Sequence, residues 1–171
     1  WEHYAFTKDK VYLKNQAYSL MKGAVQFCLD FLTKDIKGNL VTAPSTSPEN
    51  VYITTTGYKG QTIYGGTADH AMIRELFTDF IKATEVLNTD EEMRKKVKSA
   101  LDKIYPYQIG KKGNLQEWYH DWEDQDPHHR HLSHLFGAYP GYTITSSQTP
   151  AMADAVRKSL EIRTNEGTGW A

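Results

Sequence analysis

The chain has 171 residues, 39% of them hydrophobic and 24% charged, which is enough apolar content for a buried core and unlike a disordered chain. The net charge is −1 and Lys and Arg are dispersed, apart from a short RKKVK run at residues 94–98. That excludes the basic footprint nucleic acid or an anionic membrane requires, and no apolar stretch is long enough to span a bilayer.

Residues 10–33 place Leu13, Ala17, Leu20, Met21, Ala24, Phe27, Cys28 and Phe31 at spacings of three and four, which predicts a helix with one buried stripe. Cys28, the only cysteine, sits on that stripe and reads as a buried structural thiol. A long polar connection follows, holding TAPSTSPEN at residues 42–50 and a strand-like run at residues 51–55. Glu49 and Asn50 of that loop are candidates to reach into a site, against the ordinary reading of a turn cluster. Residues 69–87 repeat the helical period through Met72, Ile73, Leu76, Phe77, Phe80 and Ile81. A third helix is predicted from Thr89, whose hydroxyl and Glu92 form a Thr-x-x-Glu capping box, to a stop at Pro106. A second long polar segment carries a short helix near residues 131–139 and a strand-like run at residues 143–145. The last helix starts at Thr149 and Pro150 and runs to Ile162.

Loops this long inside a helical domain are more often functional than idle. The fold class that fits is mainly α, with paired amphipathic helices and long functional loops, as in part of a helical toroid. Because the chain opens on Trp1 and closes on NEGTGWA, residues 1–171 read as a partial domain cut at both ends, with apolar helix faces left free for self-association. The compartment is not legible.

Chemistry concentrates in residues 113–135, GNLQEWYHDWEDQDPHHRHLSHL. Glu117 is flanked by Trp118 and near Trp122; rings that shield it from water would raise its pKa and suit it to proton donation. A solvated surface Glu is the ordinary alternative. His128, His129, His131 and His134 form a cluster that, with Glu117, could hold a metal, but the HExxH spacing is missing and only Glu117 with His120 fits a Glu-x-x-His pair. A structural network of imidazoles and carboxylates is the other reading. Arg130, the neighbouring His residues and the Trp rings also supply the donors, acceptors and stacking faces that a polyol such as a sugar needs.

The ordered set WEHYAFTKDKVYLKN, LVTAPSTSPEN, QIGKKGNLQEW, DPHHRHLSHLFGAYPG, AVRKSLEIR and GTGWA resembles the catalytic domain of glycoside hydrolase family 95, the inverting 1,2-α-L-fucosidases and related α-L-galactosidases. The resemblance spans nearly the whole chain. It implies an (α/α)6 toroid, no cofactor, no metal, and a terminal α-L-fucosyl or α-L-galactosyl oligosaccharide as substrate. On the matching motifs it implies Glu117 of QEW as general acid, with Arg130, His131, His134, Trp118 and Glu49 around the sugar. It also implies that the water-activating residues, an Asn pair and an Asp, lie upstream of Trp1 and downstream of GTGW, so that the isolated fragment is inactive. At GGTADHAMI the family more often has Met after the Thr and Met-Gln after the Asp, where this chain carries Ala68, His70 and Ala71.

Overall fold

The computed structural model describes residues 1–164; the GTGWA motif lies outside them. Helices hold nearly half of the described residues, and the strands are short. The chain divides into two compact units, one of Trp1–Leu40 with Ile73–Ile104, the other of Val41–Met72 with the chain from Tyr105 onward. The mainly helical expectation holds, with several small antiparallel pairings added to it.

In the first unit a short helix that the periodicity did not predict, Glu2–Thr7, ends at Lys8 in the left-handed conformation. Asp9 then caps the next helix by accepting from the Tyr12 amide at 2.9 Å. The predicted helix over residues 10–33 forms through Phe31, but with a wide π turn at Leu13–Ala17. That turn holds one extra residue and rephases everything after it. Met21, Val25, Cys28 and Leu29 consequently pack inward, while Leu20 and Phe27 turn outward at 75% and 66% exposure. Cys28 is half-buried rather than enclosed.

The Thr67–Leu87 helix sends Ile73, Phe77 and Phe80 into this core beside Val25, Val97, Ala100 and Ile104. Phe80 stacks on Tyr18 at 5.5 Å between ring centroids. The expected capping box at Thr89 is not what starts the third helix. Glu91–Leu101 follows Asp90, which adopts φ 49° and makes no side-chain cap. Its carboxylate is already engaged by the Tyr18 hydroxyl at 2.7 Å and the Lys22 ammonium at 2.6 Å. A tertiary contact has displaced the local one. The helix also stops at Leu101, short of Pro106.

In the second unit the run at residues 51–55 forms a short strand, Tyr52–Ile53, paired antiparallel to Lys59–Gly60 and to Glu123–Asp124. Ser45–Thr46 pairs with Thr62–Ile63. The run at residues 143–145 forms no strand, and the helix expected near residues 131–139 shortens to a 3-10 turn at Ser133–Leu135. The last helix, Pro150–Arg163, has Pro in its first turn as predicted. Its Ala155 meets Leu115, Leu135 and Ile144 in a small core.

Because Phe80 is fully enclosed, Phe80→Ala should lower the unfolding free energy by about 3–5 kcal/mol through lost transfer energy and a residual cavity. Urea unfolding of wild type and variant measures this, and a loss below about 1 kcal/mol would mean that the first unit's core is not packed on this ring.

Candidate active site

The backbone around Glu117 is clamped from three sides. Gly113, at φ 78°, closes a turn in which the Gly110 amide bonds to the Asn114 carbonyl at 2.8 Å. The Leu115 amide reaches the Ala155 carbonyl and the Ser159 hydroxyl of the last helix at 3.1 and 3.0 Å. Thr67 then donates its hydroxyl to the Gln116 carbonyl at 2.6 Å and its amide to the Glu117 carbonyl at 3.1 Å. Glu117 therefore sits on fixed backbone, and its side chain is only 6% exposed.

The TAPSTSPEN loop supplies two donors to that carboxyl. Thr42 and Ser45 anchor the loop by donating to the Asp69 carboxylate at 2.9 and 2.7 Å. The anchored loop directs the Ser47 hydroxyl and the Asn50 amide to Oε1 of Glu117 at 2.5 and 2.9 Å. Arg163, at the end of the last helix, forms an ion pair with Oε2 through Nη2. Its other arm, Nη1, donates to Asp124 at 3.1 Å and to the Pro127 carbonyl at 3.0 Å. Asn50 also reaches Asp124 at 3.2 Å, and the Trp118 indole N–H donates to the same carboxylate at 2.9 Å. Nδ1 of His134 stands 3.5 Å from Oε2, too far for a good hydrogen bond.

These partners reverse the sequence expectation for the proton on Glu117. Burial does oppose the charged carboxyl, but neighbouring positive charge and the Asn50 and Ser47 donors outweigh it and hold Glu117 below its ordinary value. His134, when protonated, and Arg163 supply that charge, while burial pushes the His134 imidazole below its usual range. The groups bonded to the carboxyl are polar rather than aromatic. Trp118 is 2% exposed, edge-on to Tyr52 at 5.2 Å, with its N–H turned to Asp124. Asp124 is shifted upward, first by burial and then by the Glu117 charge.

Not all the sequence candidates converge here. Glu49, at φ 57°, faces the other way and pairs with Arg130 and, at 3.0 Å, with Nε2 of His131 in a half-exposed cluster. His129 is buried with Nε2 3.2 Å from the Pro48 carbonyl. Among the described residues no three His, Cys, Asp or Glu side chains gather as a metal set, so the cluster proposed from His128, His131, His134 and Glu117 is not assembled. Ala68, His70 and Ala71 are buried where the Thr67–Leu87 helix begins. Two cavities are distinct. One of about 30 Å³ is lined by Glu117, His120, Trp122, Asp124, His134 and Arg163, room for about one water. The other, about 690 Å³ and mostly apolar, is lined by Met72, His131, Leu135, Phe136, Tyr139 and Leu160 among others, without Glu117.

Sequence reasoning missed Ser47 and Arg163. A signal for Arg163 existed: Ala155, Ser159 and Arg163 are spaced by four on the buried face of one helix, and a guanidinium on such a stripe requires a partner.

Comparison with known proteins gives a match of residues 1–171 to the glycosyl hydrolase family 95 catalytic domain. The chain is 44% identical over 172 residues to a protein named Alpha-L-fucosidase 2 from Arabidopsis thaliana, covering all of this chain and 20% of that protein. It is 34% identical over 186 residues to a Probable alpha-fucosidase A from Aspergillus niger, covering all of this chain and 22% of the relative. A Probable alpha-fucosidase A from Aspergillus oryzae is 34% identical over 115 residues, 64% of this chain and 15% of that protein. The chain thus spans about a fifth of the length of the curated relatives it matches over its whole length.

The depressed Glu117 value fixes a sign for stability. The unfolded carboxyl takes its proton first as pH falls, so the stabilisation is complete above about pH 4.3 and is lost as pH drops through the lower folded value. Asp124, shifted upward, acts in the opposite sense. Glu117→Gln should therefore flatten the decline of unfolding free energy between about pH 4 and pH 2, measured by urea unfolding at each pH; an unchanged slope would show that Glu117 is not held charged.

Proposed function

Since the chain belongs to the glycosyl hydrolase family 95 catalytic-domain family, we propose that it is one part of an inverting α-L-fucosidase or α-L-galactosidase and that Glu117 is its general acid. The observation that carries this reading is the placement of Glu117, a buried carboxyl on clamped backbone gripped by side chains from separate segments. A surface Glu would have needed none of this. The fold of the whole domain in this reading is an (α/α)6 toroid, of which these helices form a portion.

Inverting hydrolysis needs one carboxyl to protonate the departing oxygen and a second group to activate water from the opposite face, about 6.5–9.5 Å away. Glu117 fills the first role. The water-activating half is assigned to residues of the longer protein, which accords with relatives about five times this length. Arg130, His131 and Glu49 are proposed to bind sugar hydroxyls, their half-exposed cluster offering donors and acceptors together. His134 and Trp118 act behind Glu117 and Asp124. A terminal fucosyl oligosaccharide is the substrate this reading names, without metal or organic cofactor.

The isolated 171-residue chain should not turn over 2'-fucosyllactose, whereas the complete catalytic domain should. In the complete domain Glu117→Gln should reduce kcat by about 10²–10⁴-fold. Robust turnover by the isolated chain would overturn the division of the machinery, and an unchanged kcat would remove Glu117 from the role. The exposed Leu20 and Phe27, seven residues apart on one helix, should also make the isolated chain self-associate. Sedimentation velocity reads this as a sedimentation coefficient that rises with concentration; a single monomeric boundary at high concentration contradicts it.

A further inference from the structure

An acid that must deliver a proton is held here by a guanidinium that favours its charged form, and the same guanidinium is shared. Arg163 gives Nη2 to Glu117 and Nη1 to Asp124. Asn50 bridges the same two carboxylates from the opposite direction. Trp118 fixes Oδ1 of Asp124, and the Pro127 carbonyl accepts a further bond from Nη1. Planar, forked donors are what permit one side chain to serve two carboxylates at once.

Building on the assignment of Glu117 as the acid, we propose that Asp124 and Arg163 are positioning residues for it, Asp124 holding one arm of the guanidinium so that the other arm orients the Glu117 carboxyl. The titratable groups facing Glu117 come from every element around it. Arg163 comes from the last helix, His134 from the 3-10 turn, Asp124 from the short strand, and His120 and Asp121 share the small cavity. Ser47 and Asn50 contribute dipoles only. Arg163 is the permanent positive charge in contact with Glu117, His134 adds to it when protonated, and Asp124 is the second carboxyl on the same guanidinium. Removing Arg163 must release the Glu117 carboxyl, and removing the Glu117 charge must ease the ionisation of Asp124.

The test is a ¹³C-carboxyl NMR titration of the 171-residue chain labelled at Glu and Asp. Unmutated protein should show Glu117 titrating below, and Asp124 above, the ordinary carboxylate range. Glu117→Gln, which removes a charge that is present while Asp124 titrates, should lower the Asp124 midpoint by about one pH unit, and Arg163→Met should raise the Glu117 midpoint by at least as much. A purely structural role predicts no such opposite pair of shifts. If a variant does not fold, the unmutated titration decides, and a reversed order of the two carboxyls overturns the proposal. In the complete enzyme Arg163→Met should move the alkaline limb of kcat/KM to higher pH. Titrations that obey these signs, with a complete catalytic domain that has no hydrolase activity, would sink the functional reading alone. Activity that depends on Glu117, with the Asp124 midpoint unmoved by Glu117→Gln and the Glu117 midpoint unmoved by Arg163→Met, would sink this proposal alone.

Discussion

A single ion pair, Glu117 with Arg163, governs how the second unit is put together. A carboxylate with this little exposure would pay a desolvation penalty of several kcal/mol if left without compensation, and one guanidinium does not satisfy all its lone pairs. The remaining donors come from Ser47 and Asn50, which reach it only because Thr42 and Ser45 tie their loop to Asp69. The last helix must end where Arg163 can face inward, and Ser159 and Ala155 on the same face hold the Leu115 amide. Long polar connections are therefore ordered by a buried charge as well as by short strand pairings and a small apolar core. Removing one partner from such a set costs more than the set contributes as a whole, because the other charge remains buried.

How much of this was legible depends on the range of the interaction. Helices at residues 69–87 and 150–162 follow from period and from Pro150, both local signals, and the structure places them within two residues of the prediction. The wide turn at Leu13–Ala17 was not legible, since apolar residues at 13, 17, 20, 21, 24, 27 and 28 fit an ordinary helix and only packing selects the rephased face. The Thr89 box lost to Asp90 because Tyr18 and Lys22, about seventy residues earlier, claim that carboxylate. At the site, Glu117 was singled out from its motif, but its chemistry was misread from adjacency. Consecutive side chains on non-helical backbone diverge, so Trp118 serves Asp124 and leaves Glu117 to partners 46 to 70 positions distant. No window of sequence contains that set.

The resulting arrangement sets two demands against each other. Folding favours the anion at Glu117, since the anion gives Arg163, Ser47 and Asn50 a common acceptor. Proton donation requires the neutral acid. Where acid and base roles coexist, neighbouring carboxyls are pushed apart in proton affinity by their surroundings, and Glu117 and Asp124 are pushed in opposite directions here. Such a conflict between local satisfaction and chemical task belongs at functional sites, where surrounding structure holds groups in states they would not otherwise keep.

The loop at residues 47–50 ties the buried acid to the half-exposed cluster. Ser47 and Asn50 point to Glu117, while Glu49 between them points to Arg130 and His131. The positive φ at Glu49 is what lets neighbouring residues face opposite ways within so short a span, at a cost of order 1 kcal/mol for a residue that is not Gly. Replacing that Glu by Gly would relieve the backbone but remove the carboxylate that Arg130 and His131 share, so strain and charge are held together at one position. In the proposed reading, a bound polyol that draws on Glu49 acts on the residue 47–50 segment, of which Ser47 and Asn50 donate to Glu117. In the proposed reading, hydroxyl recognition and the orientation of the buried carboxyl thus share one segment, which Thr42 and Ser45 anchor at Asp69.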